Sequence, residues 1–140
     1  MTQVNVTKTI NVPAHQVWEK VSSFKGIEEF SPIARSVTEG EGIGTKRKCY
    51  MPDGAEISER LELVDNSTMT MQYKITEGPF PITGYLSTIK VKPLGDSACE
   101  VTWGSEFNVG DEAKAQMEEL FGGFYNVIID GLESLINKQN

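Results

Sequence analysis

Two charged residues interrupt otherwise apolar faces. In the run Ile57-Ser58-Glu59-Arg60-Leu61-Glu62-Leu63, a strand's period of two puts Glu59 on the face of Ile57, Leu61 and Leu63, while Arg60 and Glu62 go to the other. Just upstream, Arg47 alternates with Lys46 and Lys48 and shares its face with Cys49 and Met51. A carboxylate or a guanidinium on a core-facing surface needs a partner, because an unpaired buried charge is expensive. Neighbouring strands lie about 4.8 Å apart, so a long arginine can reach a glutamate on the next strand. Such a pair could fix the polar end of an otherwise apolar ligand. With Glu59 as general acid or base, and Arg47, Tyr73 or Tyr85 stabilising an oxyanion, it could also do proton-transfer chemistry. The plainer alternative is an ion pair that only ties two strands together.

Further polar groups fall on the same inward faces. Met69, Met71, Tyr73 and Ile75 alternate with polar residues, and Tyr85, Ser87, Ile89 and Val91 are taken as the inward face of the next run. A last run brings in Cys99, Val101, Trp103, Ser105 and Phe107. Apolar walls with a few convergent polar groups describe a small-molecule chamber. Cys49 and Cys99 have no motif spacing and are expected to be reduced core thiols. With His15 as the one histidine, a zinc site is disfavoured. Gly40-Glu41-Gly42-Ile43-Gly44 is expected to be a hairpin turn. A dinucleotide fingerprint would need glycine at the position of Thr45, and no Gly-Lys-Ser/Thr leads into a helix.

The elements that must position these residues are a set of strands and one long helix. Val4, Val6, Ile10 and Val12 predict a first strand, and Pro13 opens a short helix to Ser23 carrying Val17, Trp18 and Val21. The 24–30 stretch allows another turn before Ser31-Pro32 ends it. Strands are predicted over 33–39, 45–51, 55–65, 69–75, 83–91 and 99–107, joined by short turns and therefore antiparallel. From Asp111 to the end no proline intervenes, and Met117, Phe121, Phe124, Ile128 and Leu135 recur at helical spacing, flanked by Leu120, Val127 and Leu132. Asp111 can cap this helix, whose stripe must bury against the sheet. Gly122 and Gly123 cost about 1 kcal/mol each in a helix interior, so they are expected where backbone approaches the sheet or bends over it.

At 140 residues the chain is expected to form one domain, 1–140, with 39% hydrophobic and 24% charged residues, as in ordinary soluble proteins. A net charge of −7 disfavours nucleic acid and anionic membrane surfaces as partners. The first ten residues alternate polar and apolar, unlike a signal peptide, and no apolar run is long enough to span a bilayer, so the cytoplasm is the expected location.

The order strand, two short helices, six strands, long helix resembles the helix-grip fold of the START-like, SRPBCC superfamily, in its polyketide cyclase/dehydrase and lipid-transport branch. The residues carrying the resemblance are Val17-Trp18, Gly42-x-Gly44-Thr45-x-Arg47, Asp53-Gly54, Glu59-Arg60-Leu61, Asp65, Tyr73-x-Ile75, Pro81, Tyr85, Trp103 with Phe107, and Gly131-Leu132 with Leu135. The resemblance implies an α+β fold in which a seven-stranded antiparallel sheet curls around the C-terminal helix. It also implies a cavity between them that binds a small hydrophobic molecule, such as a lipid, polyketide or aromatic compound, without metal or nucleotide cofactor. Where many relatives carry Trp-His-Pro, this chain has Phe30-Ser31-Pro32, so a histidine that could do acid/base work there is missing. Binding or carriage is therefore the leading expectation. The alternatives are a cyclase/dehydratase using Glu59 and an interaction module with a filled core. The residues expected to line the site are Arg47, Cys49, Glu59, Leu61, Met71, Tyr73, Tyr85, Ser87 and Trp103 from the sheet, and Met117, Phe121, Phe124 and Ile128 from the helix.

Overall fold

A computed structural model describes residues 1–140. Strand β1 (Thr2–Ile10) is followed by helix α1 (Ala14–Ser22) and a single 3₁₀ turn (Ile27–Glu29). The strands β2 (Arg35–Glu39), β3 (Lys46–Tyr50), β4 (Glu56–Asp65), β5 (Thr70–Glu77), β6 (Ile82–Pro93) and β7 (Cys99–Val109) come next, then α2 (Asp111–Gln139). The sheet has the order β1-β7-β6-β5-β4-β3-β2. Every pair is antiparallel. Consecutive strands pair through short turns, and only β1 is brought round to a non-consecutive neighbour, β7. Gly40, Gly42 and Gly44, all at positive φ, make the β2–β3 connection, which is a turn and not a phosphate loop.

Helix α2 has 29 residues and is about 44 Å long at 1.5 Å per residue. It lies along β1 and β7, where Lys8 reaches Asn126 and Asp130, and is not packed to a comparable degree on β3, β4 or β5. The space left between α2 and that half of the sheet is where the cavity forms. Helix α1 packs on β6, and Trp18 donates its indole N–H to Asn66 at 2.9 Å, joining α1 to the β4–β5 turn.

Four local expectations need correction. The stripe that α2 buries is Met117, Phe121, Tyr125, Ile128, Ile129, Leu132 and Ile136. Phe124 and Leu135 are only half-buried, so the helix is rotated towards Tyr125. Asp111 is the first helical residue and not the cap; Gly110 precedes it with no capping side chain, and Asp111 and Glu112 place negative charge in the first turn instead. Gly122 and Gly123 do not mark a close approach. A Cβ on Gly122 would make ordinary contact with Val4 at 3.7 Å, and one on Gly123 would meet open space. The close approach is at Gly131, where a Cβ would stand 2.1 Å from the carbonyl oxygen of Phe30. Finally, Leu63 is exposed, not core. Leu61 pairs with Tyr73 but Leu63 with Gln72, so β4 carries an extra residue at Glu62. That bulge reverses the alternation beyond it and turns Val64 towards the core in place of Leu63.

Candidate functional site

The ion pair is the buried charged feature of the sheet's inner face. Arg47 and Glu59 are directly paired across β3 and β4, and Arg47 Nε donates to Glu59 Oε1 at 2.7 Å. Their side chains are 4% and 8% exposed, deep enough that the pairing decides whether either charge is tolerated. The Cys49 thiol donates to the same Oε1 at 3.3 Å. Both bonds converge on Oε1, and no protein donor reaches Oε2. Burial is the largest influence and works against the Arg47 charge, but Glu59, Cys49 and Tyr73 together outweigh it and hold the guanidinium above its ordinary value. Burial, reinforced by Glu59, pushes the Cys49 thiol far up.

Phe24 completes the setting of Arg47. Its ring lies 3.8 Å from the guanidinium carbon, and the Tyr73 ring centroid is 5.2 Å away. Phe24 adopts φ +62°, the left-handed region, which costs a bulky residue roughly 1–2 kcal/mol. The stacked, fully buried ring offsets that cost. One nitrogen, Nη2, remains buried without a hydrogen-bond partner.

The second polar feature is a chain of hydroxyls. Tyr125 donates to Ser105 Oγ at 2.7 Å, and Tyr85 and Tyr125 share a short hydroxyl–hydroxyl bond. Since Tyr125 has spent its proton on Ser105, Tyr85 must donate to Tyr125. Trp103 donates its indole N–H to the Tyr73 hydroxyl at 3.3 Å, and Ser87 donates to the Gly104 carbonyl at 2.8 Å. Burial raises the Tyr73 and Tyr85 phenols well above their ordinary value, and Tyr125 shifts the same way for the same reason. All three are neutral hydrogen-bonding groups near pH 7 and not phenolate bases. Tyr85 sits at a second bulge. Thr83 pairs with Asn108 and Leu86 with Glu106, so β6 carries an extra residue around Gly84, itself at φ +65°. Ile82 and Tyr85, three apart, can then both face inward.

Cys49, Glu59, Tyr73, Tyr85 and Tyr125 form the polar part of an apolar cavity of about 330 Å³ between α2 and the β3–β6 half of the sheet. Of the residues expected from the sequence, Cys49, Glu59, Tyr73, Tyr85, Phe121 and Phe124 border it. Arg47 stands behind Glu59 and does not. Leu61, Met71, Ser87 and Trp103 are buried in the sheet's inner face outside the lining, and Met117 and Ile128 are spent on packing α2. Tyr125 was missed. It follows Phe121 by four residues, as Phe124 does by three, and sequence spacing alone does not choose between the two. Ile27, Pro32 and Ile33 close the cavity from the segment before β2, and Phe80 from the β5–β6 loop. The sequence places Ile27 in a possible extra helical turn, Ile33 at the start of a predicted strand, and Pro32 and Phe80 in turns, and none of these settings marks a cavity wall. Leu120 and Val127, both about half exposed, sit with Gly123 at the edge of the lining.

An antiparallel sheet, a long helix laid across it, and a lined cavity between the two define a helix-grip fold. The chain belongs to the family described as polyketide cyclase/dehydrase and lipid transport, whose sequence profile matches residues 1–137. Among solved structures it is similar to XoxI from Bacillus cereus, at 28% identity over 100% of this chain and 99% of that one, with a TM-score of 0.88. It is also similar to an uncharacterised Bacillus thuringiensis protein, at 31% identity, 95% and 97% coverage and a TM-score of 0.81. Norcoclaurine synthase from Thalictrum flavum, solved with a transition-state analogue, shares the fold at 20% identity, 99% and 96% coverage and a TM-score of 0.81. No helix is long and apolar enough to cross a membrane.

Proposed function

We propose that the protein binds, and by releasing it carries, a small hydrophobic molecule in the cavity between α2 and the sheet. The observation that supports this reading best is the lining. It is apolar around most of the cavity and broken only by Glu59, Cys49 and the phenols of Tyr73, Tyr85 and Tyr125. A filled-core interaction module would not keep about 330 Å³ open there. Binding is favoured over turnover because Glu59 is held by Arg47 and Cys49 on one oxygen, and the phenols are neutral. That arrangement anchors a ligand better than it shuttles protons.

The test is native mass spectrometry of protein purified without detergent, followed by identification of any released compound. A stoichiometric adduct is expected, lost in a Gly123→Phe variant whose side chain enters the open space beside Gly123. A wild-type protein that carries nothing, and whose cavity residues do not respond to small aromatic compounds in two-dimensional NMR, would overturn the reading.

A further inference from the structure

Resting on the reading of the cavity as a ligand site, we infer that its ligand is a compact, non-anionic molecule of one or two rings with a hydroxyl, alcoholic or phenolic, at its buried end. Three observations point to it. The first is size: a cavity of about 330 Å³ suits a frame of one or two rings better than a diacyl lipid.

The second is the polarity of the buried end. Glu59 borders the cavity while its cation, Arg47, stands behind it against Phe24. A ligand in the cavity therefore meets the Glu59 carboxylate, whose Oε2 no protein donor occupies. A carboxylate accepts hydrogen bonds and cannot donate them, so the ligand must donate. Beside it, the Tyr73 oxygen accepts from Trp103, and Tyr73 borders the cavity with its own proton donated to no protein group. A ligand hydroxyl complements both neighbours, donating to Glu59 and accepting from Tyr73. An ether, a ketone or a carboxylate can only accept.

The third is charge. An anionic headgroup would be desolvated against Glu59 and would approach a chain of net charge −7, past the exposed Glu118 and Glu119 in the same stretch of α2 as Leu120.

The experiment compares three probes on one frame, 2-naphthol, 2-methoxynaphthalene and 2-naphthoate, titrated at pH 7 by calorimetry and by amide NMR shifts. 2-Naphthol should bind roughly tenfold or more tighter than its methyl ether, as a hydrogen bond to a charged acceptor implies. 2-Naphthoate should bind weakest. In Glu59→Gln the anion is gone and Arg47 loses its counter-charge, so 2-naphthoate should overtake the ether and the preference for 2-naphthol should shrink. If that variant does not fold, the wild-type ranking decides alone. Equal binding of naphthol and ether, or tightest binding of naphthoate, overturns the hydroxyl inference, and leaves the cavity reading standing if the shifts fall on cavity residues. No shift at those residues with any probe removes both.

Discussion

Arg47 and Glu59 owe their tolerance to each other, and the energetics are lopsided. Removing one partner strands a charge in a site less than a tenth exposed, which typically costs about 3–5 kcal/mol. Replacing both removes the stranded charge along with the bond. Arg47→Met alone and Glu59→Gln alone should therefore each destabilise more than the double variant does, as read by chemical denaturation. Strictly additive losses would mean that the 2.7 Å bond contributes nothing beyond packing. Cys49 belongs to the same unit. With its thiol pushed far up and donated to Glu59, it should resist thiol reagents at pH 8 in the native state and react only on unfolding. Rapid native labelling of Cys49 would show that the carboxylate is not where the structure places it.

At the scale of elements, α2 is fixed by one close backbone contact and a mostly permissive remainder. Gly131 passes so near Phe30 that an added Cβ would collide with a carbonyl oxygen, a backbone atom that can yield only if the 3₁₀ segment moves. Gly131→Ala should cost about 1–3 kcal/mol or more, as overpacking does. Gly122→Ala and Gly123→Ala should instead stabilise by up to about 1 kcal/mol each, since only helix propensity changes there. Thermal melts of the three variants check the ordering, and a neutral Gly131→Ala would refute the close approach. The bulges in β4 and β6 act at the same scale. Each adds one residue to a strand, bends it, and resets which side chains face the helix.

The molecule as a whole buries three of its four tyrosines, and this gives it a pH dependence with a definite sign. Unfolded phenols ionise near about pH 10 and unfolded thiols near about 8.5. In the fold, burial raises Tyr73, Tyr85 and Tyr125, raises Cys49, and pushes Cys99 up to about 11. A group whose folded value is raised stabilises fully below its unfolded value and loses that contribution as pH climbs towards the folded value. Stability should accordingly hold through neutral pH, begin to fall above about pH 8.5 as the thiols of the unfolded chain ionise, and fall steeply above about pH 10. Phenolate absorbance should rise in step with loss of near-ultraviolet circular dichroism. Ionisation of the three buried phenols in a still-folded protein would contradict the hydroxyl network.

The sequence by itself determined the element order, the antiparallel sheet, the long helix and the inward set Arg47, Cys49, Glu59, Tyr73 and Tyr85, because period-two alternation and helical spacing are local properties of a chain. It also made the Arg47–Glu59 pair legible, since two charges on apolar faces of adjacent strands have few other solutions. Only the tertiary structure decided which of those inward residues meet the cavity. That depended on the rotation of α2, which trades Phe124 for Tyr125 in the packed stripe, and on the bulge at Glu62, which turns Leu63 out. It depended also on the helix lying against β1 and β7, so that Trp103, Ser87, Met71, Met117 and Ile128 fall outside the lining while Ile27 comes in from the 3₁₀ turn and Ile33 and Phe80 from loops. A helix's rotation and offset over a sheet follow from the summed fit of many side chains, and no local spacing carries that sum.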